Sequence, residues 1–413
     1  MNTLRTLEVE SEILKNEINV EEEQEEFENL DFDIKQISDI VVYGTDWTAE
    51  TIKNQIIRKN INLNPKFQRR DAWTIKRKSR LIESLILGLP VPQIVLAEKE
   101  KGKYLVLDGK QRLLTILQFY GKSESDNNNF KLKDLEFLVD LNGLRYKDFQ
   151  ETILYSDKKN ALDNQTIRTT IIKNWQNDNF LYTVFLRLNV ENTPLSPQEL
   201  RQALHPGEFT NYIDDYSLKS KGLKILFPKQ PDFRMRDNQL LLKYIAFRYF
   251  LPEYRSDLKA FLDNTCDHFN KQWQNREEEI KMSLDQFEKA IDIMTEIFGE
   301  KYFGRVWLAE QNKYERQRNL SVLDAMLFYF SNPNIRSRIK EIDKKDIEDK
   351  FKYLCSSSQD FLSSVRSSTS KIRSLYTRLN LWGTALKDTL KIDFPIPKLI
   401  DNHISYSSEK RGN

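Results

Sequence analysis

Residues 104–121 hold the side chains whose types and spacing are best suited to chemistry. An apolar, strand-like run is followed by a polar turn and then by apolar residues at helical spacing. The residues at the turn are Asp108, Gly109, Lys110, Gln111 and Arg112. Free backbone N–H groups at a helix N-terminus favour an anion, and the two cations add positive charge. The pattern predicts a phosphate-binding turn; the alternative is an ordinary turn and N-cap with solvated first-turn residues.

Two strands and a helix must position this turn. Residues 94–96 and 104–107 are strand-like and are joined by a polar loop that contains Gly102, so we expect them to pair as a hairpin. Residues 74–87 place apolar side chains on one face and predict a helix. The turn at Asp108 should therefore lie at the end of a sheet.

Several sequence blocks, in order along the chain, resemble one family. The blocks are Pro-x-aromatic-Gln-Arg-x-x-x-Trp at residues 65–73, Leu-Ile-Glu-Ser-Leu-Ile-Leu-Gly-Leu-Pro-Val-Pro at residues 81–92, Leu-Asp-Gly-x-Gln-Arg-Leu at residues 107–113, Phe-x-x-x-Asn at residues 185–189 and Leu-Ser-x-x-Glu-Leu-Arg-x-Ala at residues 195–203. Together they resemble the N-terminal domain family of GmrSD-type restriction endonucleases, which is part of the ParB/sulfiredoxin-like superfamily. The resemblance covers roughly residues 40–210.

The resemblance implies a fold and a function. The fold is α+β: a ParB/sulfiredoxin-like N-terminal domain with a small mixed sheet and helices, followed by a mostly α-helical C-terminal domain. The function is that of a module that binds, and hydrolyses, a nucleoside triphosphate as a sensor or switch in prokaryotic defence against phage or modified DNA. The cofactors would be the nucleotide and Mg²⁺.

The candidate site residues follow from the turn and from the matched motifs. The residues assigned to catalysis are Asp108, Gln111, Arg112 and Gln68. The residues assigned to nucleotide binding are Arg69, Gly109, Lys110, Arg112, Thr115, Asn189 and Arg201. Asp108 would position the turn or a Mg²⁺ ion, Gly109 would let the backbone approach the phosphates, and Gln111 would orient phosphate or water.

Two positions depart from the family pattern. Phe67 stands where the family commonly has Tyr, so a hydroxyl is missing. Lys110 replaces a usual Gln and adds a cation that should favour phosphate binding. Farther along, Ser196 and Glu199 have the spacing of a capping box at the start of a helix, which Pro206 and Gly207 should end.

The charge of the chain is locally polarised although its net value is +2 in 413 residues. Residues 21–33 contain eight acidic residues and no basic one, whereas residues 66–80 contain seven basic residues against Asp71. The acidic segment is interpreted as a solvated leader, with a nucleic-acid mimic or an intramolecular cover for the basic surface as alternatives. The cations of residues 76–80 are interpreted as the solvated face of an amphipathic helix, with a DNA footprint as the alternative.

The chain is expected to have three regions: an acidic leader over residues 1–35, the family-like domain over residues 36–215, and a helical domain over residues 216–413. Asn142 and Gly143 predict a hairpin turn, and the Ser-rich residues 356–370 predict a loop. Two cysteines and no membrane-spanning or signal-like segment suggest a cytoplasmic protein.

The sequence leaves other functions open. The three histidines are scattered, so they do not form the His-Asn-His nuclease module that often accompanies this kind of domain. The main alternative is a DNA-binding or protein-interaction regulator with a vestigial nucleotide pocket, and a further one is a ParB-like DNA-nicking nuclease. DNA and a separate effector subunit are therefore possible partners beside the nucleotide.

Overall fold

The computed structural model describes residues 39–63, 73–121, 129–175, 180–181, 183–184, 187, 196–229, 231–232 and 234–406. The described chain divides into two compact units, residues 39–204 and residues 205–406. The first unit combines a four-stranded sheet with helices, and the second is mostly helical. The predicted α+β fold class is confirmed.

The first unit is built on a mixed sheet. Its strands are β1 (Val41–Thr48), β2 (Ile94–Glu100), β3 (Lys103–Asp108) and β4 (Thr166–Lys173). Its helices are α1 (Ala49–Ile57), α2 (Ile75–Ile86), α3 (Lys110–Tyr120), α4 (Tyr146–Glu151), α5 (Ser156–Asn164) and α6 (Pro197–Leu204). The strand order is β1-β4-β2-β3. Strand β2 pairs antiparallel with β3, as predicted, and parallel with β4.

Helix α2 confirms the helix predicted for residues 74–87. The Oγ1 of Thr74 accepts a hydrogen bond from the backbone N–H of Arg77 at 3.3 Å and so caps the helix. Its apolar face is buried, but Lys78 is 6% exposed and its ammonium lies 5.9 Å from the Phe130 ring centroid. The prediction that Lys78 belongs to the solvated face is therefore wrong, because its long aliphatic stem is buried against the core.

The prediction of a hairpin around Asn142 is also wrong. Val139–Leu141 form a 3₁₀ turn, and no strand flanks it within residues 129–164. The Asn142 Oδ1 accepts from the backbone N–H of Leu135 at 3.1 Å, and its Nδ2 donates to the carbonyl of Val139 at 3.0 Å. These side-chain hydrogen bonds satisfy loop backbone groups that strand pairing would otherwise satisfy.

The second unit packs helices around an aromatic-rich core. Its helices are α7 (Glu208–Ser217), α8 (Lys221–Leu226), α9 (Arg236–Phe250), α10 (Leu258–Phe298), α11 (Leu320–Phe330), α12 (Pro333–Ile339), α13 (Lys344–Ser357), α14 (Gln359–Arg366) and α15 (Ile372–Leu390). The short strand pairs are β5 (Trp307–Leu308) with β6 (Lys313–Tyr314) and β7 (Lys398–Ile400) with β8 (His403–Ser405). None of the described helices is long and apolar enough to span a membrane.

The loop predicted for residues 356–370 contains helix α14 instead. The Ser358 Oγ accepts from the backbone N–H of Phe361 at 3.1 Å and caps this helix. Phe361 and Val365 are buried on one face. Serine is therefore an N-cap here, and two apolar residues four positions apart are enough to hold the helix on the core.

Candidate functional site

Gly109 connects the end of β3 directly to the start of α3. Its φ of 94° lies in the left-handed region, which favours glycine. A Cβ at this position would lie 3.0 Å from Cγ1 and 3.3 Å from Cα of Ile94 on β2. Both its conformation and its close approach to the neighbouring strand therefore require glycine at residue 109.

The N-terminus of α3 faces this turn. Gly109 is the N-cap and has no side chain to bond the first turn of the helix. The first helical hydrogen bond runs from the backbone N–H of Leu113 to the carbonyl of Gly109 at 2.9 Å. The backbone N–H groups before Leu113 and the helix dipole together favour an anion at this end of α3.

Arg112 is held tightly in the first turn of α3. Its Nη2 donates to the Asp108 Oδ2 at 2.7 Å and to the Gln93 carbonyl at 2.8 Å. The side chain is 11% exposed, and its buried Nε has no hydrogen-bond partner within the described residues. A buried donor without a partner is costly, so this position favours an added acceptor.

A second guanidinium, that of Arg77 on α2, lies near Arg112. Its Cζ is 4.4 Å from the ring centroid of Trp73, which fixes it by a cation–π contact. Arg77 is exposed as a residue, but the partial burial of its guanidinium, and then the neighbouring Arg112 cation, lower its pKa. The Arg112 cation therefore acts unfavourably on the Arg77 charge, and a bound anion would relieve that effect.

The helical period predicts Arg77 on a solvated helix face, where it is exposed, but does not predict its proximity to Arg112. The available signal was its position four residues after Trp73, which ends the first family motif. Trp73 directly precedes the N-cap Thr74, and a residue at that position often packs against a side chain in the first turns of the helix.

Lys110 forms a buried ion pair with Glu199 on α6, and each side chain is 5% exposed. The Glu199 Oε2 also accepts from the backbone N–H of Ser196 at 2.7 Å, and the Ser196 Oγ accepts from the N–H of Glu199 at 3.1 Å. The predicted capping box is thereby confirmed. Lys110 ties the start of α3 to this capping box, and its predicted contact with phosphate stays a prediction.

The other predicted site residues lie in different surroundings. Thr115 is fully buried, and its Oγ1 donates to the carbonyl of Gln111 at 2.7 Å. Arg201 is also fully buried, and its Nη1 donates to the Gln198 Oε1 at 2.7 Å. Gln68, Arg69 and Asn189, together with Phe67, lie outside the described residues. The residues that the structure brings together at the turn are Asp108, Gly109, Lys110, Gln111 and Arg112.

Asp108, the residue predicted to hold Mg²⁺, accepts a hydrogen bond from Nη2 of Arg112 through its Oδ2. Within the described residues, no group of three or more His, Cys, Asp and Glu side chains could hold a metal ion. Magnesium is commonly held by one or two carboxylates together with the phosphate oxygens of a nucleotide. The predicted Mg²⁺ at Asp108 stays a prediction.

A comparison with known families identifies this part of the chain. Residues 50–206 match the family model of the GmrSD restriction endonuclease, N-terminal domain. These residues belong to the GmrSD N-terminal domain family. The GmrSD-type domain begins within α1 and ends just after α6, so it contains the Gly109 turn and the capping box, and the predicted family is confirmed. The chain thus carries a restriction-system module.

Comparisons with curated proteins and with solved structures gave no match.

Proposed function

We propose that the GmrSD-type domain binds and hydrolyses a nucleoside triphosphate at the Gly109 turn, as the switch of a restriction system directed against phage or modified DNA. The observation that supports this most is the guanidinium of Arg112 in the first turn of α3, whose buried Nε has no hydrogen-bond partner within the described residues. The Arg77 cation on α2 lies close enough to act on it electrostatically. Helix N-termini and arginines are the groups that bind phosphate best in proteins. A triphosphate supplies enough negative charge to interact with the N-terminus of α3 and with both Arg112 and Arg77.

Each residue at the turn has a role in this proposal. Gly109 lets phosphate approach the backbone, Arg112 contributes its Nε donor, and Arg77 adds a second cation near Arg112. Gln111 orients phosphate or an attacking water. When bound, Mg²⁺ would neutralise charge on the phosphate oxygens, and Asp108 would hold it.

The second candidate function is that of a DNA-binding regulator that does not turn over nucleotide. It is favoured by the exposure of Lys76, Arg77 and Arg80 on α2. Exposed cations along one helix can neutralise phosphates of a DNA backbone. Arg80 is 3.6 Å from the Glu136 carboxylate, however, so part of this charge is already compensated. Release of phosphate from a triphosphate distinguishes this function from the first.

The test compares the full-length protein with two arginine variants. Arg112→Gln removes the guanidinium at the turn, whereas Arg168→Gln removes one that pairs with Asp46 at 3.3 Å on the sheet and is 59% exposed. Calorimetric titration with ATP and with GTP in Mg²⁺ should show binding to the wild type and to Arg168→Gln. For Arg112→Gln we expect an affinity roughly 10- to 150-fold weaker, because a charge-assisted hydrogen bond is lost.

Phosphate release by the same three proteins completes the test, and thermal unfolding followed by circular dichroism checks that each is folded. Hydrolysis by the wild type that is lost in Arg112→Gln supports the switch. Equal affinities for all three proteins would contradict the site, and absence of triphosphate binding by the wild type would contradict the function.

A further inference from the structure

A cavity of about 270 Å³ lies inside the helical unit of residues 205–406. It is enclosed by α9, by α11 with the start of α12, and by the segment that follows α15. Its lining residues are Tyr244, Phe247, Arg248, Asp324, Leu327, Phe328, Tyr329, Ser331, Asn332, Pro333, Ile335, Phe394, Pro395 and Tyr406. The volume is just below that of pockets for drug-sized ligands, so a small ligand with one or two rings fits best.

The walls of this cavity are flat and firmly held. The Tyr329 phenol donates to the carbonyl of Leu379 at 2.7 Å and passes over Gly383, where a Cβ would lie 2.1 Å from its Oη. The Tyr244 phenol donates to the carbonyl of Ser283 at 3.0 Å. Rings fixed in this way offer a planar ligand a preformed surface, which lowers the entropic cost of binding.

Two of the lining residues carry charge, and they differ in burial. Asp324 is 3% exposed, and its Oδ2 lies 3.0 Å from Nζ of Lys243 and 3.5 Å from Nη2 of Arg378. These two buried cations compensate the charge of the carboxylate, and a carboxylate accepts several hydrogen bonds. Arg248 is exposed, with its Nη1 3.4 Å from the Ser331 Oγ. The cavity therefore has a buried acceptor and a cation on its solvent side.

We propose that this cavity binds a nucleoside monophosphate. Its heteroaromatic base lies between the aromatic walls, its N–H groups donate to Asp324, and its phosphate lies at Arg248. An aromatic amino acid has a ring as well, but its two charges share one carbon and match a buried acid and an exposed cation less well. The cavity shares no residue with the Gly109 turn, so this site stands independently of the triphosphate site.

The test uses full-length Arg112→Gln protein, in which the Gly109 turn is weakened, so that monophosphate binding reports the helical unit. Calorimetry with AMP, GMP, CMP and UMP should show binding, and UMP should bind most weakly because its base has no exocyclic amine. Arg248→Gln in this background should weaken binding about 10-fold or more. Phe328→Leu, which keeps an apolar side chain but removes a ring, should weaken it several-fold.

The matched control is Arg373→Gln, which removes an exposed arginine on α15 that does not line the cavity. Its affinity should equal that of the background protein. Three results overturn the proposal: no binding of any of the four monophosphates, binding that Arg248→Gln leaves unchanged, or Arg248-dependent binding of tryptophan without binding of the nucleotides. Loss of triphosphate binding at the Gly109 turn affects none of these results.

Discussion

The ammonium of Lys110 and the carboxylate of Glu199 pair inside the GmrSD-type domain, where each side chain is 5% exposed. The pair joins the first residue of α3 to α6 across 89 positions of sequence. Because Glu199 also holds the backbone N–H of Ser196, one carboxylate fixes both helix starts. The helix that presents Arg112 is thus anchored to the capping box by a buried charge.

Breaking this pair should destabilise the domain strongly. Lys110→Met leaves the Glu199 carboxylate buried without its cation, and we expect a loss of about 3–5 kcal/mol in the free energy of unfolding. Lys110→Met combined with Glu199→Gln should recover much of that loss, because the buried charge is gone. Lys147→Met, which breaks an ion pair between side chains 65% and 61% exposed, should cost less than about 1 kcal/mol. Urea denaturation measures all of these, and equal effects of both lysine variants would show that the pair is not buried in solution.

Gly109→Ala should weaken both stability and triphosphate binding. Its φ of 94° costs an L residue about 1–2 kcal/mol, and the new Cβ would press on Ile94 at 3.0 Å. Gly143→Ala is the control: its φ is 87°, but nothing lies within 4 Å of its added Cβ. The difference in unfolding free energy between the two variants therefore reports the close approach to Ile94 and to Nη2 of Arg112, which would lie 3.3 Å from the added Cβ. If Gly109→Ala binds triphosphate as well as wild type does, phosphate does not approach the backbone there.

Local patterns predicted much of this domain. Thr74 as an N-cap, the strand-turn-helix at Gly109 and the Ser196–Glu199 capping box each depend on residues a few positions apart, and each is present. The α+β class followed from the same elements. Such features can be predicted because their hydrogen bonds are made within one turn of chain.

Features that depend on distant residues could not be predicted. The partner of Lys110 is Glu199, and nothing near residue 110 identifies it. Helical periodicity predicts that Lys78 lies on the solvated face of α2. It does not predict that Phe130, which lies in a loop farther along the chain, covers this lysine. Asn142 illustrates a third case, in which the turn signal was correct but the flanking segments form no strands: they are joined by backbone hydrogen bonds at Leu132 and by the Asn142 side chain.

Glu83 should make the domain less stable in acid. Burial alone would raise its pKa, but the backbone N–H groups of Leu138, Glu136 and Phe137, at 2.7–3.1 Å, and the Arg80 cation outweigh it and lower the pKa of Glu83. A carboxyl whose pKa is lower in the folded state stabilises the fold above its ordinary pKa, and that stabilisation is lost as pH falls through the folded value. The free energy of unfolding should therefore decrease as the pH is lowered below about 4.5.

Glu83→Gln tests this origin. We expect it to cost roughly 1.5–3 kcal/mol at pH 7, since charge-assisted hydrogen bonds are lost, and to flatten the acid part of the stability curve. Glu136→Gln removes a carboxylate that is 59% exposed and pairs with Arg80, and it should change little. Urea denaturation between pH 3 and pH 7 gives the curves. An unchanged acid slope in Glu83→Gln would assign the pH dependence to other carboxylates.

Gly383→Ala should destabilise the helical unit. The added Cβ would lie 2.1 Å from Oη and 2.5 Å from Cζ of Tyr329, a ring that cannot move without breaking its hydrogen bond to Leu379. Overpacking of this kind lowers the free energy of unfolding by about 1–3 kcal/mol. The better helix propensity of Ala offsets up to about 1 kcal/mol of this loss. Thr384→Ala, at the exposed next position, makes a matched control without a steric clash. A lower denaturation midpoint for the glycine variant alone is expected, and equal midpoints would mean that Tyr329 adjusts freely.

Arg77 decides between the two candidate functions of the domain. If it serves the triphosphate site, Arg77→Gln should weaken ATP or GTP binding about 10-fold, because it lies close enough to Arg112 for that cation to lower its pKa. Arg80→Gln, three residues farther along α2 and paired with Glu136, should leave that affinity unchanged. If α2 instead contacts DNA, both variants should weaken duplex binding, and each should reduce the slope of log affinity against log salt by about 0.9. Calorimetry with nucleotide and fluorescence anisotropy with DNA at several salt concentrations separate these outcomes, and a nucleotide affinity that is the same in wild type and Arg77→Gln would remove Arg77 from the triphosphate site.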